Sequence, residues 1–106
     1  MIRAQYRKDG NFHALTVTGH AEYSSHGDDI VCAGASSIIY ALLGWLENNS
    51  EDLEYSDADV HSGNVHIECE GGERTAVAFE MMAIGLMQLQ DAYASHVEIT
   101  VVGLAD

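Results

Sequence analysis

The sequence contains no proline, only two cysteines and only four basic residues. Without proline, no segment is predicted to form a stiff linker and no helix is predicted to end at a sharp proline stop. Two cysteines, Cys32 and Cys69, can form at most one disulfide, and free thiols are the default expectation in a cytosolic protein. The run from Ile38 to Leu46 is too short and too interrupted to span a bilayer, and the first ten residues lack the apolar core of a signal peptide. We therefore expect a cytoplasmic protein that does not enter a membrane.

Basic charge is scarce, since four Lys and Arg residues oppose seventeen Asp and Glu residues and the formal net charge is −13. Arg3, Arg7 and Lys8 all lie in the first eight positions, so the rest of the chain is strongly acidic. Direct binding to nucleic acid is not expected, because phosphate contacts need clustered Lys and Arg. A basic peptide or protein would be attracted, and the attraction would weaken as salt rises. Solubility or adaptation to salt would explain the acidic surface equally well.

The chain of 106 residues, 47% of them hydrophobic, is predicted to form a single domain over residues 1–106. Periods of two predict strands, and periods of three and four predict helices. The predicted elements are strands at Ile2–Lys8 and Phe12–Thr18, a helix from Ile30 to about Asn48, strands at Leu53–Val60 and Val65–Cys69, a helix at Thr75–Ala94 and a last strand at Val97–Val101. This ββαββαβ order predicts a two-layer α+β fold, with two helices on one face of a mostly antiparallel sheet.

Side-chain patterns also predict which residues are buried. Cys69 shares a strand face with Val65 and Ile67 and is expected in the core. The apolar residues left over from the core, Leu15, Val17 and Val102, would suit a partner subunit. The second helix is expected to turn toward the core with Ala78, Met81, Met82, Gly85, Leu86 and Leu89. The histidines expected to be solvated are His13, His61, His66 and His96.

The segment "GHAEYSSHGDDIVCAGAS", residues 19–36, carries the candidate chemistry. Cys32 follows the candidate helix caps Asp28 and Asp29 closely, so it lies in the first turn of the first helix. There, unpaired backbone N–H groups and the positive end of the helix dipole favour a thiolate. His20 ends the second strand and is the candidate base, because an imidazole beside a thiol can take its proton and give it to a leaving amine. The pattern predicts nucleophilic catalysis.

Simpler roles remain open for the same residues. A cysteine near a helix start is often just a small buried side chain. Asp28 and Asp29 can orient His20 or only cap the helix. Ser36, one turn after Cys32, can hydrogen-bond within the site or fill a packing contact. The set His20, His26, Asp28, Asp29 and Cys32 can also be interpreted as metal ligands, although it lacks a paired short spacing of the C-x-x-C type.

"GHA" at 19–21, followed by "GDDIVCAGAS" at 27–36, resembles the signature of the bacterial ribosomal-processing cysteine protease family, Prp. Chain length, element order and the Met-rich second helix fit as well, so the resemblance covers essentially the whole chain. It implies a homodimer of two-layer α/β subunits, a His–Cys catalytic pair and no cofactor. It also implies a substrate, the basic N-terminal extension of the large-subunit ribosomal protein numbered twenty-seven, cut after an aromatic pair.

The resemblance assigns a role to individual positions of the segment. His20 matches the catalytic histidine, Cys32 the nucleophile and Gly19 the glycine that ends the strand, while Asp29 and Ser36 match supporting polar positions. Tyr23, His26 and Asp28 belong to the loop that would affect substrate fit. We expect this loop, residues 20–29, to be mobile and to complete the catalytic pair only when substrate binds. The alternatives are a non-enzymatic acidic module that binds a basic ribosomal or regulatory protein, and a metal-binding protein using His20, Asp29 and Cys32.

Overall fold

The computed structural model describes residues 1–24 and 29–103. Its elements are β1 (Ile2–Asp9), β2 (Phe12–Thr18), α1 (Ile30–Asn48), a 3-10 turn (Ser50–Asp52), β3 (Leu53–His61), β4 (Asn64–Gly71), α2 (Glu73–Ala92) and β5 (Val97–Gly103). The predicted order is confirmed. α1 has the predicted bounds, whereas α2 begins and ends two residues earlier than the sequence pattern indicated.

The five strands form one sheet in the order β3-β4-β2-β1-β5. Every neighbouring pair is antiparallel except β1 and β5, which run parallel with Ile2 opposite Val97. The β1–β2 hairpin turns within the predicted segment 8–11, but Asp9 ends β1 opposite Phe12 and the turn residues are Gly10 and Asn11. Gly10 has a φ of 58°, which glycine adopts without strain. The two-layer α+β prediction with a mostly antiparallel sheet is therefore confirmed.

One face of the sheet forms the core together with both helices. Alternate residues of the central strands point into it, because successive side chains of a strand point to opposite faces. From the strands these residues are Ile2, Ala4, Tyr6, Leu15, Val17, Ile67, Cys69 and Val97, and from α1 they are Val31, Ala35, Ile39, Leu42 and Leu46. The burial of Cys69 is as predicted. Leu15 and Val17, which were predicted to be left for a partner, are 0% and 6% exposed and lie in this core.

The buried stripe of α2 differs from the predicted one. Met82 and Leu86 are buried as predicted, but Met81 is 69% exposed and the fully buried residues include Thr75 and Phe79. The reason is the ring of Phe79, which stacks on Tyr6 and His13 at centroid distances of 5.5 and 4.8 Å and sets the rotation of the helix. The prediction counted methionines as core and missed the aromatic anchor.

His13 is the second correction to the predicted core. It was predicted to be solvated, but its side chain is 1% exposed. Its Nδ1 lies 2.7 Å from the hydroxyl of Tyr6, and its ring is stacked against Phe79. A buried polar group is tolerated when it has a hydrogen-bond partner, and the neighbouring strand supplies one here.

α1 is long and apolar enough to cross a membrane by length and composition alone. Core helices of compact proteins meet the same criterion, so one such helix is weak evidence for a membrane span. In this fold the buried stripe of α1, from Val31 to Leu46, packs into the core shared with the sheet and α2. The helix therefore already has a place within the domain.

Candidate active site

The start of α1 is built around the carboxylate of Asp29. Its Oδ1 accepts the backbone N–H groups of Val31 and Cys32 at 3.0 and 2.9 Å, and its Oδ2 accepts that of Tyr23 at 3.0 Å. Asp29 is thus the N-cap of α1. The bond from the Cys32 N–H is the main cause that holds the pKa of Asp29 below its ordinary value, against the opposing effect of desolvation. The carboxylate stays ionised and ties the loop to the helix.

Cys32 lies in the first turn of α1 as a half-buried free thiol. Its Sγ accepts a hydrogen bond of 3.2 Å from the backbone N–H of Ala21. The other free thiol, Cys69, is fully buried, and desolvation raises its pKa to about 11. Of the two cysteines, only Cys32 combines partial exposure with a backbone donor to its sulfur.

His20 follows Gly19 at the end of β2 and lies against the turn between β3 and β4. A Cβ on Gly63 in that turn would come within 2.7 Å of His20 Nε2, so only glycine leaves room for the ring in this position. Gly19 and Gly63 have φ values of 88° and 73°, and the Gly19 N–H donates to the Gly63 carbonyl at 2.9 Å. A Cβ on Gly19 would overlap the carbonyl oxygen of Met1. Two glycines therefore allow the close approach that positions the imidazole.

A cleft of about 460 Å³ joins these elements. Five residues singled out from the sequence line it together, namely Gly19, His20, Asp29, Cys32 and Ser36. One wall is the β3–β4 turn together with the strand ends on either side of it, residues 60–65. The apolar lining includes Ile2, Val17, Ile39 and Tyr40. The cleft thus places an exposed imidazole and a half-buried thiol beside apolar side chains, an arrangement suited to a peptide segment with bulky residues.

The remaining loop positions behave differently. Tyr23 is 46% exposed, and its ring meets those of Tyr93 and His96 edge-on at 5.4 and 5.2 Å. His26 and Asp28 lie outside the described residues. Within residues 1–24 and 29–103, no three His, Cys, Asp or Glu side chains are grouped so as to hold a metal ion.

Two parts of the site were missed from the sequence. The β3–β4 turn was predicted as a turn, "HSGN", but nothing in its sequence linked it to His20. His96 was predicted to be solvated, yet it is half-buried and its Nδ1 lies 2.9 Å from the carbonyl oxygen of Ala21. A signal for Gly63 was present, since a turn glycine can mark a close approach; for His96 the local sequence held none.

Comparison with known proteins agrees with the resemblance found in the sequence. The family model described as "Cysteine protease Prp" matches residues 1–98. The ribosomal processing cysteine protease Prp of Mycoplasma pneumoniae is 38% identical over 84 residues, which cover 79% of each chain. That of Staphylococcus aureus is 26% identical over 97 residues, covering 86% of this chain and 88% of the relative.

A solved structure extends the comparison to the fold. The crystal structure of the essential ribosomal processing protease Prp from S. aureus, in complex with a covalently linked product peptide, superimposes with a TM-score of 0.82. It is 21% identical, and the match covers 98% of this chain and 100% of that one. The predicted resemblance is confirmed, and it favours the protease over the non-enzymatic alternatives: the chain belongs to the cysteine protease Prp family.

Proposed function

We propose that this chain is a cytoplasmic endopeptidase in which Cys32 is the nucleophile and His20 the general base and acid. The observation that carries the proposal is the convergence of both side chains on one cleft, with a backbone N–H directed at the Cys32 sulfur. A helix start and an N–H donor both stabilise negative charge on sulfur, and a histidine at the edge of the same cleft can accept the proton.

The proposed reaction has two stages. His20 takes the Cys32 proton, the thiolate attacks the scissile carbonyl carbon, and the tetrahedral intermediate collapses when His20 gives that proton to the leaving amine. A thioester now joins the substrate carbonyl to Sγ. His20 then takes a proton from water, the hydroxide displaces the thiolate from the carbonyl, and Cys32 is protonated again. Backbone N–H groups at the start of α1 are candidates to stabilise the oxyanion.

We propose the N-terminal extension of the large-subunit ribosomal protein numbered twenty-seven as the substrate. Three observations support a peptide of this kind. Curated relatives are named ribosomal processing cysteine proteases, and a S. aureus relative was crystallised with a covalently linked product peptide. The apolar lining of the cleft, including Ile39 and Tyr40, can hold aromatic residues near the cut. The net charge of −13 favours a basic partner.

Mass spectrometry of the candidate substrate tests the proposal directly. The ribosomal protein with its extension is incubated with wild type, Cys32→Ala and His20→Ala, and the products are identified. Wild type should release one N-terminal fragment. Cys32→Ala should release none, and His20→Ala should be slower by about 10²–10⁴-fold, the usual contribution of general acid–base catalysis. Circular dichroism should show that both variants keep the fold, and cleavage by Cys32→Ala at the wild-type rate would refute the mechanism.

We further propose that the protein acts as a homodimer. Large apolar side chains remain exposed on the outer side of α2, including Val77, Met81, Ile84 and Met87, and a second copy would remove them from water. Sedimentation equilibrium should give twice the mass of the 11.5 kDa chain. Met81→Lys should shift the equilibrium toward the monomer, and a wild-type monomer at high protein concentration would exclude the dimer.

A further inference from the structure

Both backbone groups of Ala21 are engaged at the edge of the site. Its N–H donates to Cys32 Sγ at 3.2 Å, and its carbonyl oxygen lies 2.9 Å from His96 Nδ1. Ala21 is only 1% exposed, so water does not compete readily for either bond. The imidazole of His96 is thereby connected to the Cys32 sulfur through a single residue, although His96 and Ala21 are 75 positions apart.

The bond from His96 has a defined direction. A carbonyl oxygen can only accept, so Nδ1 of His96 must carry the proton and the neutral ring must be the Nδ1–H tautomer. The ring is also held in place, because Tyr23 packs against it edge-on at 5.2 Å. The backbone of His96 is fixed as well: its N–H donates to the Tyr93 carbonyl at 2.8 Å, and its carbonyl accepts the Ile2 N–H at 2.9 Å. The imidazole donor therefore belongs to a residue whose backbone is held in place by two hydrogen bonds.

The segment that His96 holds is itself strained. Glu22, the residue after Ala21, has a φ of 55°, in the left-handed region that non-glycine residues seldom adopt. Such a conformation persists where contacts on both sides impose it. Those contacts are the His96 bond to Ala21 before it and the Asp29 bond to the Tyr23 N–H after it. Without His96, the peptide groups of Ala21 would be free to turn away from the sulfur.

We propose that His96 is a positioning residue for the nucleophile: it fixes Ala21 so that the Ala21 N–H remains directed at Cys32 Sγ. The inference rests on the proposed role of Cys32. An N–H donor stabilises the thiolate relative to the thiol, since hydrogen bonds to a charged acceptor are the stronger ones. His96 thus acts on the thiol through the backbone, and it needs no contact with the substrate.

The rate of Cys32 alkylation by iodoacetamide tests the proposal without any substrate. The rate is measured as a function of pH in the Cys69→Ala background, so that Cys32 is the only thiol that can be alkylated. His96→Leu removes the donor, whereas His96→Asn places an amide N–H near the position of Nδ1. We expect His96→Leu to slow alkylation at pH 7 by about tenfold, the usual worth of one such bond, and to move the midpoint of the pH profile upward.

Rescue by His96→Asn would distinguish a positioning role of His96 from a packing role. His96→Asn should stay within about threefold of the parent rate, because it keeps the donor. His66→Leu, the same substitution at a half-buried histidine that does not line the cleft, should leave the alkylation rate and its pH midpoint unchanged. The other titratable groups that line the cleft with Cys32 are His20, Asp29, Tyr40 and His61, and they are the same in every variant. If His96 had only a structural role, His96→Leu would lower the melting temperature and leave the pH midpoint of alkylation unchanged. That result would overturn the proposal.

A measurement on wild type keeps the test decisive if His96→Leu fails to fold. Nitrogen NMR of the labelled protein should show His96 as the Nδ1–H tautomer at neutral pH, and a dominant Nε2–H tautomer would overturn the proposal. Because neither measurement uses a peptide, the outcome is independent of whether the ribosomal substrate is correctly identified.

Discussion

The two cysteines of this chain lie in two regions that have opposite effects on the reactivity of a thiol. Cys69 lies on the inner face of β4, directly opposite His13 of β2, with no exposed surface and a pKa raised to about 11 by desolvation. Cys32 lies at the open end of α1, half-buried, with a backbone N–H on its sulfur. Cys69 therefore fills space in the core, whereas Cys32 is a candidate nucleophile. The difference comes from solvent access and nearby donors, not from the residue type.

The largest expected effect is a contrast in thiol reactivity. Iodoacetamide at pH 8 should modify one thiol per native chain and two after denaturation, as counted by intact mass. A thiol with a pKa of about 11 is only about one part in a thousand thiolate at that pH, and burial excludes the reagent as well. Peptide mapping should place the native modification on Cys32. Modification of Cys69 in the native protein would contradict the comparison.

Acid should affect the Cys32 region through Asp29. Its pKa is lowered by the N–H bonds it accepts, so its contribution to stability is complete well above the ordinary value of 3.8. That contribution is lost as the pH falls through the lower folded-state value. Asp29→Asn should melt several degrees below wild type at pH 7, and it should lose less further stability than wild type on acidification. Thermal melts between pH 7 and pH 3 would show this.

Asp52 offers a matched control for Asp29. It accepts the N–H and the hydroxyl of Thr75 at the start of α2, at 2.8 and 2.7 Å, and its pKa is lowered chiefly by the hydroxyl bond. Asp52→Asn should show the same acid behaviour in thermal melts. Only Asp29→Asn should also slow Cys32 alkylation, because only Asp29 touches the Cys32 end. Equal loss of alkylation in both variants would mean that the effect is global.

Truncating the buried thiol should have a modest and purely structural effect. Cys69→Ala removes one buried sulfur from a packed core, which costs about 1 kcal/mol of the free energy of unfolding or somewhat more. Urea unfolding would measure the loss. The rate of peptide cleavage should be unchanged, and a large loss of activity would mean that the two regions are coupled.

The smallest expected effect concerns capture of the substrate. A basic peptide should lose roughly two- to tenfold in kcat/KM between low and moderate salt, since screening weakens its attraction to a chain of net charge −13. A charge-neutral peptide with the same cleavage sequence should change little, because apolar contacts in the cleft are not weakened by salt. Equal salt sensitivity would assign the acidic surface to solubility alone.

The parts of the fold that depend on local pattern were predictable. The apolar spacing from Val31 to Leu46 predicted the bounds of α1, and an aspartate before it predicted the cap. Both signals lie within the helix or next to it in the sequence, so no distant partner is needed to recognise them. The motif at residues 19–36 likewise brought Gly19, His20 and Cys32 into consideration, and the structure brings them to one cleft.

The parts that depend on distant partners were not predictable. His13 looks like a solvated strand residue until Tyr6 is known to lie beside it, and Met81 looks like core until Phe79 fixes the rotation of α2. The contacts of Gly63 with His20 and of His96 with Ala21 join segments more than 40 residues apart. Periodicity reports which face of an element is apolar, but it does not report which loops meet.

The position of β1 has a consequence for the newly made chain. β1 lies between β2, which follows it at once, and β5, the last of the described strands to be synthesised. Until residues 96–103 have left the ribosome, one side of β1 has no strand to pair with and the Ala21 carbonyl has no histidine beside it. Long-range pairing of this kind also slows folding. The nascent chain therefore lacks both the β1–β5 pairing and the His96 contact with Ala21 until its last described strand has been made.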